Sequence, residues 1–174
     1  KLKIKNKNYK YLMPSTNSST IKVQKRDGRL ENLDINKIHF VVEEACEGLS
    51  GVSSSQIEMN ANIQFYDGMT TKDIQNVLVR SANDLISLEA PNYQYAAARL
   101  LSYDVRKEAH GQYEYIPLLK LILRNIRLGV YDKGILDKYS KTEIKKFNTW
   151  IKRERDLRFT YAGLRQICDK YLVQ

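Results

Sequence analysis

Apolar residues recur at helical spacing through most of the chain, but a short stretch near its start alternates instead. There Ile21 and Val23 alternate with polar residues, and Asp27-Gly28 follows them. Alternation is typical of a strand, and Asp-Gly favours a two-residue turn because such a turn requires positive φ. The pattern therefore predicts a small β-hairpin over about residues 20–33.

Four segments with apolar residues every three or four positions follow the hairpin, and each has a helix start signal. Asp34 is the expected cap of the first helix, Ser53 of the second and Thr70 of the third. The fourth helix is predicted over 92–110. The hairpin and these four amphipathic helices are predicted to form one compact unit, residues 20–112.

The second of these helices has the form of a capping box at its start, because Gln56 follows Ser53 by three residues. Its apolar positions include Ile63 and Phe65, so the helix is predicted to continue through both and to stop before Asp67.

The last part of the chain, residues 113–174, is predicted to contain three further helices, at 116–128, 141–152 and 161–170. Its run KKFNTWIKRERDLRF has the charge of a basic recognition helix. Apolar and acidic residues interleave with the basic ones, however, and this is typical of a solvated helix face.

Charge is distributed unevenly along the 174 residues, whose formal net charge is +9. Residues 1–33 carry nine basic and two acidic side chains, and residues 114–174 carry fourteen and seven. Residues 34–113 are instead acidic, with six basic and eleven acidic side chains. This pattern argues against a uniformly basic nucleic-acid binder, so an anion site must use particular lysines and arginines.

Composition excludes several other classes of protein. With 43% hydrophobic residues the chain is globular, and no apolar run approaches the roughly 18 residues that span a bilayer. Two cysteines, Cys46 and Cys168, cannot form a disulfide framework, and only two histidines accompany them, too few for a zinc pattern. The expectation is a cytoplasmic protein without a metal site of its own.

No catalytic constellation stands out, and both the GxxxxGK and the GxGxxG phosphate-binding motifs are absent. A dispersed phosphate site is the better candidate. Lys25 and Arg26 lie at the predicted hairpin tip, Thr71 at the start of the third helix and Lys107 near the end of the fourth. If the hairpin folds over the bundle, these groups converge on a polyphosphate. Each also has a plain structural explanation, as an exposed turn residue, a cap or a favourable charge at a helix end.

Several blocks of the sequence closely resemble the ATP-cone at the N-terminus of the class I ribonucleotide reductase large subunit. These blocks are VQKRDGRLENLDINKI, IQFYDGMTTKDIQ, APNYQYAAARLL and RKEAHGQYE. Two later blocks, GVYDKGILDKYSKTEI and RERDLRFTYAGLRQICDKYLVQ, resemble the helical region that precedes that subunit's catalytic barrel. The resemblance implies a mainly α fold, in which a small β-sheet caps a four-helix bundle and further helices of a truncated catalytic domain follow.

The same resemblance implies binding of ATP or dATP as an allosteric effector, with Mg²⁺ accompanying the triphosphate. It assigns the phosphates to Lys25, Arg26, Thr71 and Lys107. The other implied nucleotide-binding positions are near the base, at the start of the first helix or one turn after the threonine: Val23, Glu31, Asp34, Lys37 and Gln75.

Two positions depart from the family pattern. Asp34 replaces an asparagine that many members carry near the base, and Gln75 replaces a histidine. Glutamine stays neutral at every pH and cannot give a phosphate the charge of a protonated histidine. We therefore expect nucleotide binding to persist, and the strength of dATP inhibition stays open.

The family's catalytic cysteines belong to the barrel, and neither cysteine of this chain falls at their positions. The expected division is a basic, flexible tail at 1–19, an ATP-cone at 20–112 and the incomplete N-terminal helical part of the reductase domain at 113–174. Such a chain would bind nucleotide and reduce nothing without the barrel, which is encoded on the same or a separate chain.

The expected partners are the small radical-bearing subunit and further large subunits, with no role for membrane or nucleic acid. Two alternatives remain at this point. ATP-cones also occur in a DNA-binding repressor that carries a four-cysteine zinc ribbon, and a ligand-free subunit-interaction module is the other.

Overall fold

The computed structural model describes residues 21–172, so the predicted tail at 1–19 lies outside the described residues. The elements within 21–172 are three short strands, eight α-helices and one 3-10 helix. The strands are β1 (Lys22–Gln24), β2 (Leu30–Asn32) and β3 (Met69–Thr70). The helices are α1 (Ile35–Cys46), α2 (Ser54–Asn62), α3 (Thr71–Asn83), α4 (Tyr93–His110), α5 (Leu118–Arg127), α6 (Gly134–Lys138), α7 (Lys141–Trp150) and α8 (Tyr161–Lys170), and the 3-10 helix is Arg153–Arg158. The predicted mainly α class is confirmed.

The hairpin forms where the sequence predicts it, but its turn differs. Strands β1 and β2 pair antiparallel, with Val23 opposite Glu31. The Gly28 amide donates to the Lys25 carbonyl, and the Lys25 amide donates to the Arg29 carbonyl. The loop therefore has three residues rather than the two predicted. Gly28, at φ 85°, occupies the left-handed position that closes such a loop.

Strand β3 turns this hairpin into a three-stranded sheet and was not predicted. It pairs parallel to β1, with Val23 opposite Met69, and both side chains are buried. The Gly68 amide donates to the Lys22 carbonyl, and the Asp67 carboxylate accepts from the Lys22 amide. Two residues are too few for an alternating pattern, so only the tertiary pairing defines this strand.

The first three helices of the bundle begin at the predicted caps. Asp34 accepts from the amides of Asn36 and Lys37, Ser53 from Gln56 and Thr70 from Asp73.

The capping box predicted at Ser53 is only half formed. The Gln56 side chain accepts from the Tyr93 hydroxyl instead, and this bond ties α2 to α4.

The predicted end of the second helix was wrong. Helix α2 ends at Asn62, and Ile63 is 86% exposed. Two tight turns, in which the Gln64 amide donates to Ala61 and the Phe65 amide to Asn62, redirect the chain towards β3. The spacing of the apolar residues alone gives no sign of these two turns.

The core of the bundle extends past the predicted boundary at residue 112. Leu164 and Cys168 of α8 are buried in the same cluster as the residues of α1 to α4, and α8 packs along α4.

Helices α5 and α7 pair separately, with Ile122 and Ile144 buried. Of the three later helices predicted, only α8 has the expected bounds, while α6 and the 3-10 helix were not predicted. Within residues 21–172 every helix is too short or too polar to cross a membrane.

Candidate functional site

A cavity of about 130 Å³ lies where the hairpin meets the bundle. It is bounded by β1, β2 and the first two turns of α1 and α3, and Lys107 of α4 also lines it. Eight of the nine residues predicted to bind nucleotide line it: Val23, Lys25, Glu31, Asp34, Lys37, Thr71, Gln75 and Lys107. The fold thus brings together residues that lie as far apart in the sequence as 23 and 107.

The apolar part of this cavity was not predicted as part of a site. Leu33, Ile38 and Val41 line one wall, and Ile74 and Leu78 of α3 line another. In the sequence the four helical residues among them are ordinary members of apolar helix faces. Leu33 directly precedes the cap Asp34, and the other four lie in the first two turns after Asp34 or Thr70. This closeness to the caps is the one signal that the sequence offers.

Arg26, the ninth predicted residue, lies in an adjoining open cleft of about 490 Å³. Lys25 and Thr71 line both spaces, so the cleft opens directly from the cavity. Apart from Gly28, the residues that line the cleft are polar or charged, and Lys72 and Glu108 form its rim. Ligand pockets are typically about 300–1,000 Å³, a range that the cavity reaches only together with this cleft.

Each cation that lines the cleft is paired with a carboxylate, whereas the neighbouring Lys107 lines the cavity. Lys25 Nζ lies 3.3 Å from Glu31 Oε2, and Lys72 Nζ lies 2.8 Å from Glu108 Oε1. Arg26 Nη2 donates to Asp104 Oδ1 at 2.6 Å, which joins the hairpin tip to α4. None of the salt bridges found among the described residues involves Lys107.

Lys107 is half-buried, and burial lowers the pKa of its amine, with the charges of Arg26 and Lys25 acting in the same direction. Asp104 opposes this shift. An anion that enters the cleft would relieve the repulsion among these three cations, so the arrangement favours a multiply charged anion.

Asp104 itself was missed by sequence reasoning. Its side chain is 12% exposed, and burial together with the charge of Glu108 raises the pKa of its carboxyl group. The cations Arg26, Lys72 and Lys107 act against that rise. Its position three residues before Lys107, on the same face of α4, is the only sequence signal for it.

The two positions that depart from the family pattern both have structural partners. Asp34 caps α1, and its carboxylate lies 3.5 Å from Lys37 Nζ. Gln75 is buried, and its amide donates to the Leu100 carbonyl at 2.8 Å, which ties α3 to α4.

Thr71, the first residue of α3, lines both the cavity and the cleft, so the N-terminal turn of this helix lies beside the cleft. Helix N-termini attract anions because their amides are unpaired and the helix dipole is positive there. A small apolar cavity beside a cationic cleft and a helix start can hold a ligand with a flat apolar part and a polyanionic part.

Within residues 21–172, no group of three or more His, Cys, Asp or Glu side chains is arranged to hold a metal ion.

The sequence is similar to parts of several known proteins. The alpha subunit of ribonucleoside-diphosphate reductase 1 from Salmonella typhimurium is 45% identical over 157 residues, which are 90% of this chain and 21% of that protein. The corresponding Escherichia coli protein is 45% identical over 152 residues, and the reductase alpha subunit of phage T4 is 42% identical over 156 residues. The chain spans about a fifth of the length of these relatives.

The family model described as the ATP cone domain matches residues 21–108, half of the chain. This range contains all three strands, helices α1 to α3, nearly all of α4 and every residue of the cavity and the cleft. The protein therefore belongs to the ATP-cone domain family.

Proposed function

We propose that this chain is the nucleotide-sensing regulatory region of a class I ribonucleotide reductase large subunit, with ATP and dATP as its effectors. The observation that carries the proposal is the convergence of the predicted residues on one cavity and its adjoining cleft. The identity to reductase alpha subunits over about nine-tenths of the chain supports it as well.

The nucleotide would lie with its base in the cavity and its phosphates in the cleft. Val23 and the apolar wall would flank the base, and Glu31 and Asp34 would offer acceptors to its polar edge, near Lys37. Lys25, Arg26, Thr71 and Lys107 would bind the phosphates, with Gln75 on the wall between α3 and α4. Mg²⁺ would enter with the triphosphate, held mainly by phosphate oxygens and water.

Regulation requires two states of the whole enzyme that bind the effector unequally. In this proposal, effector binding changes how the large subunit assembles with other large subunits and with the small radical-bearing subunit. The reaction itself, reduction of ribonucleoside diphosphates, would use residues of the barrel, and no catalytic role is assigned to this chain.

Isothermal titration calorimetry with ATP and, separately, with dATP tests the proposal. Saturable binding is expected, and Lys25→Ala and Lys107→Ala are each expected to weaken it about tenfold or more, because each removes a charge-assisted contact to phosphate. Lys145→Ala, at an exposed position of α7, is the control and should bind like the unmodified protein.

Comparing the two effectors in the same titrations measures how strongly the site distinguishes ATP from dATP with Asp34 and Gln75 in place. An absence of heat at millimolar nucleotide, or equal losses in the Lys145 control, would contradict the proposed function.

A further inference from the structure

Asp104 holds a position that the proposed nucleotide site does not by itself require. Its Oδ1 accepts from Arg26 Nη2 at 2.6 Å, and its side chain is 12% exposed whereas that of Arg26 is 41% exposed. A largely buried carboxylate therefore lies directly behind the arginine expected to meet a phosphate.

Three positive side chains act on this one carboxylate: Arg26, Lys72 and Lys107. Two of them come from other elements, the hairpin tip and α3, so Asp104 is the common counter-charge of three segments. Glu108, one turn further along α4, pairs with Lys72 at the exposed rim. Solvent screens the pair at the rim more effectively than the buried pair. Asp104 therefore contributes more than Glu108 to offsetting the positive charge of these side chains.

We infer that Asp104 is an internal counter-anion, which neutralises the phosphate-binding cations in the empty site and lowers the affinity of that site for polyphosphates. This inference rests on the proposed function of the same site. A phosphate that enters the cleft must share Arg26 with Asp104 and is repelled by its charge. The carboxylate thus stabilises the empty protein and weakens the bound state.

The substitution Asp104→Asn separates this role from a merely structural one. Asparagine keeps the shape and leaves an oxygen that still accepts from Arg26, but it removes the charge. The empty variant should melt at a lower temperature, because three cations lose their common counter-charge. Its affinity for ATP should nevertheless rise, by about tenfold as expected for one charge in a partly buried site.

The gain should scale with the charge of the ligand, since the removed repulsion is proportional to that charge. It should be largest for ATP, smaller for ADP and AMP, and absent for adenosine. Calorimetry with these four ligands measures the series, and thermal unfolding without ligand measures the stability. Glu108→Gln is the matched control, with a much smaller gain expected because Glu108 is exposed.

A second pair of variants covers the case in which Asp104→Asn does not fold. Arg26→Gln leaves Asp104 beside the phosphates, whereas the double variant Arg26→Gln with Asp104→Asn removes both charges of the pair. The double variant should bind ATP more tightly than Arg26→Gln alone. Equal or weaker binding would overturn the inference.

Failure of the inference is distinguishable from failure of the proposed function. If the unmodified protein binds ATP and Asp104→Asn binds it equally or more weakly, Asp104 positions Arg26 rather than opposing the ligand, and the inference alone fails. If neither protein binds ATP at millimolar concentration, the proposed function fails and the inference fails with it.

Discussion

Lys107 lies in a half-buried position beside two other cations, and both conditions destabilise its protonated form. Burial and the charges of Arg26 and Lys25 lower the pKa of its amine. The protonated amine is the form that attracts phosphate, so ATP affinity is expected to fall as pH rises through this lowered pKa. Titration calorimetry from about pH 8 to about pH 10 measures the fall, over a range in which ATP itself does not change charge.

The matched variant for this prediction is Lys107→Arg, because arginine stays protonated throughout the range. Its affinity is expected to change much less with pH than that of the unmodified protein. An equally steep fall in both proteins would assign the titration to another lysine.

The residues of the site differ in how far the sequence reveals them. The sequence itself pointed to Lys25, Arg26 and Lys107, because surplus cations at turns and helix ends suggest an anion site. The family resemblance supplied the other site residues. Asp104 could not be predicted from the sequence, since its importance depends on being buried beside Arg26, 78 positions away. No local pattern encodes a contact of that range.

The element that connects the sheet to the bundle is the start of α3. Thr70 ends β3 and caps α3, and its hydroxyl accepts from the Asp73 amide at 3.0 Å and donates to the Asp73 carboxylate at 2.6 Å. Thr70→Ala leaves that amide without its partner and is expected to lower the free energy of unfolding by about 1 kcal/mol.

Urea unfolding followed by circular dichroism measures this loss, and Thr70→Ser is the control because serine keeps the hydroxyl. The serine variant should retain most of the stability. If both variants lose the same amount, packing of the threonine methyl group, and not the cap, is responsible.

At the level of elements, helix starts were predicted well and helix ends less well. A start depends on a local side-chain bond, such as that of Asp34 or Thr70, which the sequence displays directly. The end of α2 depends instead on the tertiary pairing of β3 with β1, which draws the chain out of the helix after Asn62. Likewise α6, at Gly134–Lys138, is too short to show a helical repeat.

The core of the bundle includes a later part of the chain than the sequence suggests. Helix α8 lies outside the matched range 21–108, and yet its Leu164 is buried in the core of the bundle and is only 7% exposed. Leu164→Ala is therefore expected to lower the free energy of unfolding of the entire bundle by about 2–5 kcal/mol.

Chemical unfolding with two probes checks this expectation, one probe reporting on helix content and the other on tyrosine environment. Both transitions should shift together if α8 and the bundle unfold as one unit. Leu157→Ala is the control, because Leu157 is 47% exposed and should cost far less. Separate transitions, with only one of them shifted, would show that α8 stabilises itself alone.

The pairing of β3 with β1 also determines the stage of folding at which the cavity can form. It joins Lys22 to Asp67, 45 positions apart, and closing so long a loop costs entropy that only the finished contacts repay. The walls of the cavity, to which β1 and α3 both contribute, therefore meet only once this long-range contact has formed. A ligand that requires those walls acts late on the folding path: it slows unfolding of the completed protein and does not guide the chain towards it.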